Sequence, residues 1–290
     1  VKHLLALLIC LVPATLLAQV EARLKLDQEA FLPGETITTA IQISNFSGRK
    51  LTFGREPQWI RFHVEAIEGS VVNQLSEVAE SGEFMLESST KGTLRYDLQP
   101  IFDLSRPGRY RLTATVVTPE HEEIQSSPVI FEVIRGSRLW EREVGIPGTG
   151  ETVRRKYLLQ QANHLREVRL YVRVTDETES TTIKVIQIGR MVSFARPQPV
   201  VDRMARLHLM NQMTADGYVY LVIDPNGTVL TRDNYRMTER RPQIRMNDAG
   251  VATVIGGERL GSPAIESPEA TPKKAAPKPD ESPFAKDKKP

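Results

Sequence analysis

Between Arg23 and Arg135 apolar side chains return at every second position, and that period excludes a helical fold for this stretch. Leu24 and Leu26 open the pattern. Ile37, Thr39, Ile41 and Ile43 continue it, then Ile60, Phe62, Val64 and Ala66, and later Tyr110, Leu112, Ala114 and Val116. Each run is short and ends at turn chemistry: Pro33-Gly34, Asn45 to Gly48, Pro107-Gly108. A last strand is expected within Ser127 to Ile134. Short alternating runs between Gly/Pro turns predict an all-β domain of two packed sheets over residues 23–135. The acidic segment Ser70 to Gly92 breaks the pattern and reads as a long loop or an edge excursion.

The second half continues in β. Gly136 to Gly150 reads as a linker by its glycines and Pro147, although Leu139 and Trp140 are too apolar to be freely solvated, so one of them is expected to pack on a neighbouring domain. Leu165 to Val174 alternates, with Val168, Leu170, Val172 and Val174 on one face. In the return, Ile183 to Ile188, the apolar phase slips between Val185 and Ile186, which calls for a β-bulge or burial on both faces. Arg196-Pro-Gln-Pro199 breaks the chain again. Val200 to Met213 fits a helix by Val200, Met204 and Leu207, and a strand by Ala205, Leu207 and Leu209. A strand from His208 outward agrees with its surroundings. Two hairpins follow: Tyr218 to Ile223 and Thr228 to Thr231 about Asp224-Pro-Asn-Gly227, then Gln243 to Met246 and Val251 to Ile255 about Asn247 to Gly250. Residues 151–260 are thus expected to form a β-meander, closed as a second sandwich or a small barrel.

Both ends differ in kind. Lys2 and His3 precede an apolar run from Leu4 to Ala18, too short to span a bilayer comfortably, and residues 1–22 read as a signal peptide. Cleavage after Ala18 or after Ala22 fits, and an uncleaved anchor is the alternative. Cys10, the one cysteine, lies inside that run behind Ile9, which is not the setting of a lipidated cysteine; the processed chain carries no thiol. Residues 261–290, rich in Pro, Ala, Lys and Glu, are expected to form a disordered tail. The 38 Lys and Arg against 36 Asp and Glu leave a formal charge of +2, too small to indicate nucleic-acid binding or a membrane-surface protein. Membrane contact is expected only through an uncleaved signal, if at all.

Asp103-Leu-Ser-Arg-Pro-Gly-Arg-Tyr110 places a tyrosine two residues beyond a Pro-Gly turn, at the entry to a strand. This resembles the tyrosine corner of immunoglobulin-like sandwiches, whose phenol bonds back to the preceding connection. Phe31-Leu-Pro-Gly-Glu35, ahead of a strand ending at Asn45, resembles the opening of bacterial immunoglobulin-like modules. The resemblance covers the first domain alone. It implies an immunoglobulin-like fold of a kind that binds, spaces or scaffolds, and the chain departs from antibody-type domains in lacking both cysteines.

Chemistry is sparse. The histidines His3, His63, His121, His164 and His208 show no metal-ligand spacing. His63 shares its strand face with Trp59, Arg61 and Glu65 and reads as solvated; His208, beside Asn211 and Gln212, reads as a hydrogen-bonded structural residue. There is no G-x-S-x-G elbow, no phosphate-cradling loop and no dinucleotide fingerprint. Asp224 to Gly227 lacks the later acidic ligands of a calcium loop, and Asn45-Phe-Ser47 and Asn226-Gly-Thr228 are turns that also match glycosylation acceptors. Trp59 and Phe62 point to opposite faces, so one of them is expected in the core. No catalytic residue, metal or cofactor is assigned. The sequence suggests an exported, non-catalytic binding or scaffolding protein of the bacterial cell envelope, its partner another envelope or secreted protein. An inhibitor or assembly factor, and an enzyme of unrecognised type, are the alternatives. Candidate contacts are Phe84, Met85 and Leu86, which interrupt the acidic segment, and Arg240 and Arg241, from a cluster with Arg236 and Arg245 suited to an anionic partner.

Overall fold

A computed structural model describes residues 20–79, 82–147 and 153–261. The Leu4–Ala18 run read as a signal peptide, Cys10 and the residues beyond Gly261 lie outside the described residues. The described residues are all-β. The first unit contains β1 (Val20–Leu26), β2 (Ala30–Phe31), β3 (Thr38–Asn45), β4 (Leu51–Phe53), β5 (Ile60–Ala66), β6 (Phe84–Leu86), β7 (Thr90–Asp97), β8 (Gly108–Val117), β9 (Glu123–Gln125) and β10 (Val129–Val133). One sheet runs β1-β3-β7 and the other β2-β10-β8-β5, with β9 on the end of β8 and a separate β4-β6 pair. All partners are antiparallel except β2 with β10. The alternation predicted for β3, β5 and β8 is the observed one: Ile41 and Ile43 meet Phe62, Leu112 and Val116 across a shared core, while His63 faces water. Tyr110 stacks on Phe131, and its hydroxyl donates to the Arg106 carbonyl at 2.5 Å.

Two expectations need correction here. Ser70–Gly92 is not irregular throughout, because it holds β6 and the start of β7. Its first part is pinned to the β7–β8 connection: the Leu75 amide donates to the Ile101 carbonyl at 2.7 Å, and the Asp103 amide to Asn73 at 2.9 Å. Trp59 and Phe62 are both core residues. Trp59 precedes β5, so strand alternation does not bind it, and its ring lies against Phe53 and Phe84. In β1, Val20 and Ala22 are buried and pair with Asn45 and Ile43.

The second unit contains β11 (Ser137–Gly145), β12 (Arg154–His164), β13 (Glu167–Thr175), β14 (Thr182–Met191), β15 (Gln198–Val201), β16 (Leu207–Gln212), β17 (Gly217–Ile223), β18 (Val229–Arg236), β19 (Gln243–Met246), β20 (Ala252–Ile255) and β21 (Glu258–Gly261). Sheets β11-β12-β13-β14 and β15-β16-β17-β18-β21 enclose one core, to which Tyr157, Leu159 and Val172 come from the first and Leu207, Leu209 and Leu221 from the second. The β19-β20 hairpin covers the outer face of the second sheet through Ile244. The expected linker is largely β11, paired along β12; Trp140 and Val144 rest on the core while charged neighbours face water. The phase slip in β14 is burial on both faces. Val185 points away from this core and Ile186 rests on it; the register shifts lie elsewhere in the strand, skipping Ile183 and Ile188.

Candidate functional site

The residues that join the two units form the most elaborate polar arrangement on the described surface. Pro33 and Gly34 occupy the corners of a turn closed by the Glu35 amide on the Leu32 carbonyl at 3.0 Å. Gly34 has φ +79°, the left-handed corner that glycine takes without penalty. The turn thrusts Leu32 out of the first core and into a cluster with Ala162, Tyr171 and Val185 of the second unit. The Pro33 carbonyl accepts from Arg173 Nη2 at 2.5 Å, and the Glu35 backbone bridges in parallel to Val185 on the free edge of β14.

Glu35 is nearly inaccessible, and its carboxylate is fully used. Oε2 accepts the Leu32 amide at 2.8 Å, and Oε1 accepts Gln28 Nε2 at 2.8 Å. The Gln28 carbonyl oxygen in turn accepts Arg169 Nη1 at 2.6 Å, and Arg169 Nε donates to Glu167 at 2.5 Å. Burial pushes the Glu35 carboxyl above its usual range; the Leu32 amide, Gln28 and the Arg169 charge offset only part of that. Across the sheet the Tyr171 hydroxyl and His164 Nε2 are 2.8 Å apart. Burial raises the phenol, while burial and Arg169 lower the imidazole, so a neutral ring accepting from the phenol fits both.

Beside this junction opens a cleft of 970 Å³. Asp27 and Thr38 line it from the first unit, and Lys184, Gln187, Arg190 and Thr228 from the second. Lys184 and Arg190 are exposed and have no ion-pair partner among the described residues. Gly227, at φ +80°, lets the β17–β18 turn lie against Lys184; a side chain there would meet the Lys184 Cβ at 2.4 Å. The lining therefore presents two cations without ion-pair partners, Lys184 and Arg190, together with one exposed carboxylate, Asp27, that also has none among the described residues.

The residues singled out from sequence fall in other places. Leu86 is buried in the first core, and Phe84 is half-buried between Phe53 and Trp59, so neither is a free contact. They alternate about an outward Met85, which is 61% exposed, because the segment is a strand paired with β4 and not a loop. Arg240 and Arg241 are exposed on the second unit, just before β19. His208 is buried with both nitrogens engaged: Nε2 with Asp202 at 3.0 Å and Nδ1 with the Tyr220 hydroxyl at 2.7 Å. Burial pushes Asp202 up, but His208, the Arg206 guanidinium and the Arg206 amide outweigh it and hold the carboxyl below its ordinary value. Burial raises Tyr220 to about 12. All three residues are buried, and the triad ties β16 to β17 and to the Asp202 turn. Among the described residues no group of His, Cys, Asp and Glu is placed to hold a metal ion.

Gln28, Leu32, Glu35, Arg169 and Arg173 were not singled out as functional by sequence reading. One signal was present: Leu32 and Glu35 flank a Pro-Gly turn, where a large apolar side chain serves no purpose in the turn itself. No protein-family model and no curated protein matches the chain. A crystal structure of Spo0M, a sporulation control protein from Bacillus subtilis, is similar over 59% of this chain and 89% of its own, at 6% identity and a TM-score of 0.28; so loose a likeness carries no argument.

Proposed function

We propose that this protein is an exported, non-catalytic binding protein of the bacterial cell envelope, whose first unit is an immunoglobulin-like sandwich and whose partner is gripped at the cleft between the units. The carrying observation is a cleft with two cations that have no ion-pair partner among the described residues, Lys184 and Arg190, beside a junction tied together by Glu35, Gln28 and Arg169. A junction locked by hydrogen bonds and Leu32 presents a preorganised surface, and binding then loses little to ordering. The immunoglobulin-like reading is supported by the Tyr110–Arg106 bond and by the β1-β3-β7 and β2-β10-β8-β5 pairing. The chemistry of the cleft favours a carboxylate-bearing segment of another envelope or secreted protein.

Capture from envelope extract by the full chain tests this reading. Lys184→Glu/Arg190→Glu should weaken capture, and raising salt should weaken it further in the wild type. Unchanged capture by that variant, with loss on Met85→Ser or on Arg240→Glu/Arg241→Glu, would move the working face to one of the residues chosen from sequence. Loss of function on a single histidine substitution, with the cleft variant intact, would bring the enzyme reading forward.

A further inference from the structure

We propose that the end of the second unit formed by the β12–β13 turn and the loop after β14 docks on an anionic lipid bilayer, with Leu165 and Phe194 entering the bilayer and Arg166 and Arg196 resting on its headgroups. His164 pairs with Glu167, so Leu165 and Arg166 alone make the hairpin turn. Neither has the positive φ for which hairpin turns use glycine or asparagine. Leu165 is 92% exposed, so neither the turn geometry nor the core accounts for a leucine at the tip. Phe194 repeats the anomaly. It sits at a central position of a turn closed by the Ala195 amide on the Val192 carbonyl at 2.9 Å, and it is 89% exposed. The two tips share one end of the sheet, because Val168, just after the first turn, pairs with Met191, just before the second. Arg166 and Phe194 line the same 480 Å³ hollow.

The surrounding charge points to the occupant. Arg166 and Arg196 are exposed, and neither has an ion-pair partner among the described residues. The carboxylate lining the hollow, Glu167, is taken by Arg169 at 2.5 Å. The near-neutral charge of the whole chain thus conceals a locally cationic end. Two convex apolar knobs ringed by long cationic side chains suit a soft anionic surface, which needs no matching pocket. Among the described residues no helix is long and apolar enough to cross a membrane, and this contact would be peripheral. It is separate from the apolar N-terminal run, the route to a bilayer that the sequence suggests, and it does not depend on the cleft having a partner.

The test uses the full chain and vesicles of phosphatidylcholine with or without phosphatidylglycerol. In a Trp59→Phe/Trp140→Phe background, a Phe194→Trp reporter should shift its emission to the blue and be quenched by brominated phosphatidylglycerol; it then reads the tip itself, whatever the Leu4–Ala18 run does. Arg166→Gln and Arg196→Gln should each weaken sedimentation with the anionic vesicles about fivefold. Leu165→Ser/Phe194→Ser should weaken it by more than about tenfold, with partner capture at the cleft unchanged. A reporter that stays in water and unquenched on vesicle-bound protein overturns the proposal. So does anionic-vesicle sedimentation that the double serine variant leaves unchanged, or a tip that captures only protein from extract and no vesicles.

Discussion

Replacing Gly34 with alanine should cost the protein about 2–4 kcal/mol, and the loss should depend on a residue of the other unit. Two effects add. The left-handed backbone at φ +79° disfavours any side chain by ~1–2 kcal/mol. The new methyl would also stand 3.1 Å from Thr182 Cγ2, with Thr182 Cβ and Val185 Cγ2 both at 3.6 Å, and crowding of that kind costs about 1–2 kcal/mol in a packed site. Thr182→Ser removes the Cγ2 methyl while leaving the backbone demand untouched. In that background the cost of Gly34→Ala should fall by ~1–2 kcal/mol, toward the conformational part alone. The assay is denaturant unfolding followed by tryptophan emission, since Trp59 lies in the first core and Trp140 rests on the second. Single-tryptophan variants should show coincident transitions with Gly34 present, and separated ones with alanine. Equal losses in the two Thr182 backgrounds would refute the argument, because the methyl would then not be meeting the second unit.

Tyr110→Phe should lower the stability of the first unit by about 1 kcal/mol through loss of the bond to the Arg106 carbonyl, and an unchanged denaturant midpoint would make that bond worthless. A chain shortened to begin at Arg23 should be about 2–3 kcal/mol less stable than one beginning at Gln19, since it loses Val20 and Ala22 from the core, and equal midpoints would show that the start of β1 adds nothing. Asp202, held below its ordinary 3.8, contributes stability that is present above that pH and is lost as pH falls through its lower folded value. Asp202→Asn should therefore be less stable at neutral pH yet decline less steeply below pH 3.8, and parallel acid profiles would deny the effect. Glu35 has the opposite sign: its share is present below its ordinary 4.5 and lost as pH rises through its higher folded value, so Glu35→Gln should flatten the profile on that side.

Three long strands of the first unit, β3, β5 and β8, were legible because each keeps one face toward water. β3, β5 and β8 alternate in sequence as they do in space, and the Asp103–Tyr110 turn carried its hydrogen bond visibly. The strands of the second unit were legible only where that condition held. β12 buries Tyr157, Leu158 and Leu159 in succession, since one face meets the core and the other turns toward the junction, and two-sided burial erases the period of two. β11 was hidden for the converse reason: it is an edge strand with Arg138, Glu141, Arg142 and Glu143 on its exposed positions, and charge of that density reads as loop. The candidate site was the least legible part. Gln28 and Arg169 lie 141 positions apart in the chain, and no local pattern announces that pairing. The acidic segment drew attention by its irregular composition, yet its amides are tied to Ile101 and Asn73's carbonyl to Asp103, so its lack of pattern reflects pinning and not freedom.

The Leu32 turn also bears on how such a chain can be divided. A module that folds by itself can be lost, duplicated or moved to another chain without harm to its neighbour. Here the first unit lends its Phe31–Glu35 turn to its neighbour's wall: Leu32 fills the space over Ala162 and Tyr171, and Glu35 occupies an otherwise open sheet edge at Val185. Cutting the chain after Arg135 would leave a leucine in water on one fragment, and on the other an uncovered apolar floor beside unpaired backbone groups, the combination by which free sheet edges recruit one another. The two units are thus heritable as a pair, and any rearrangement that separates them must first replace that turn.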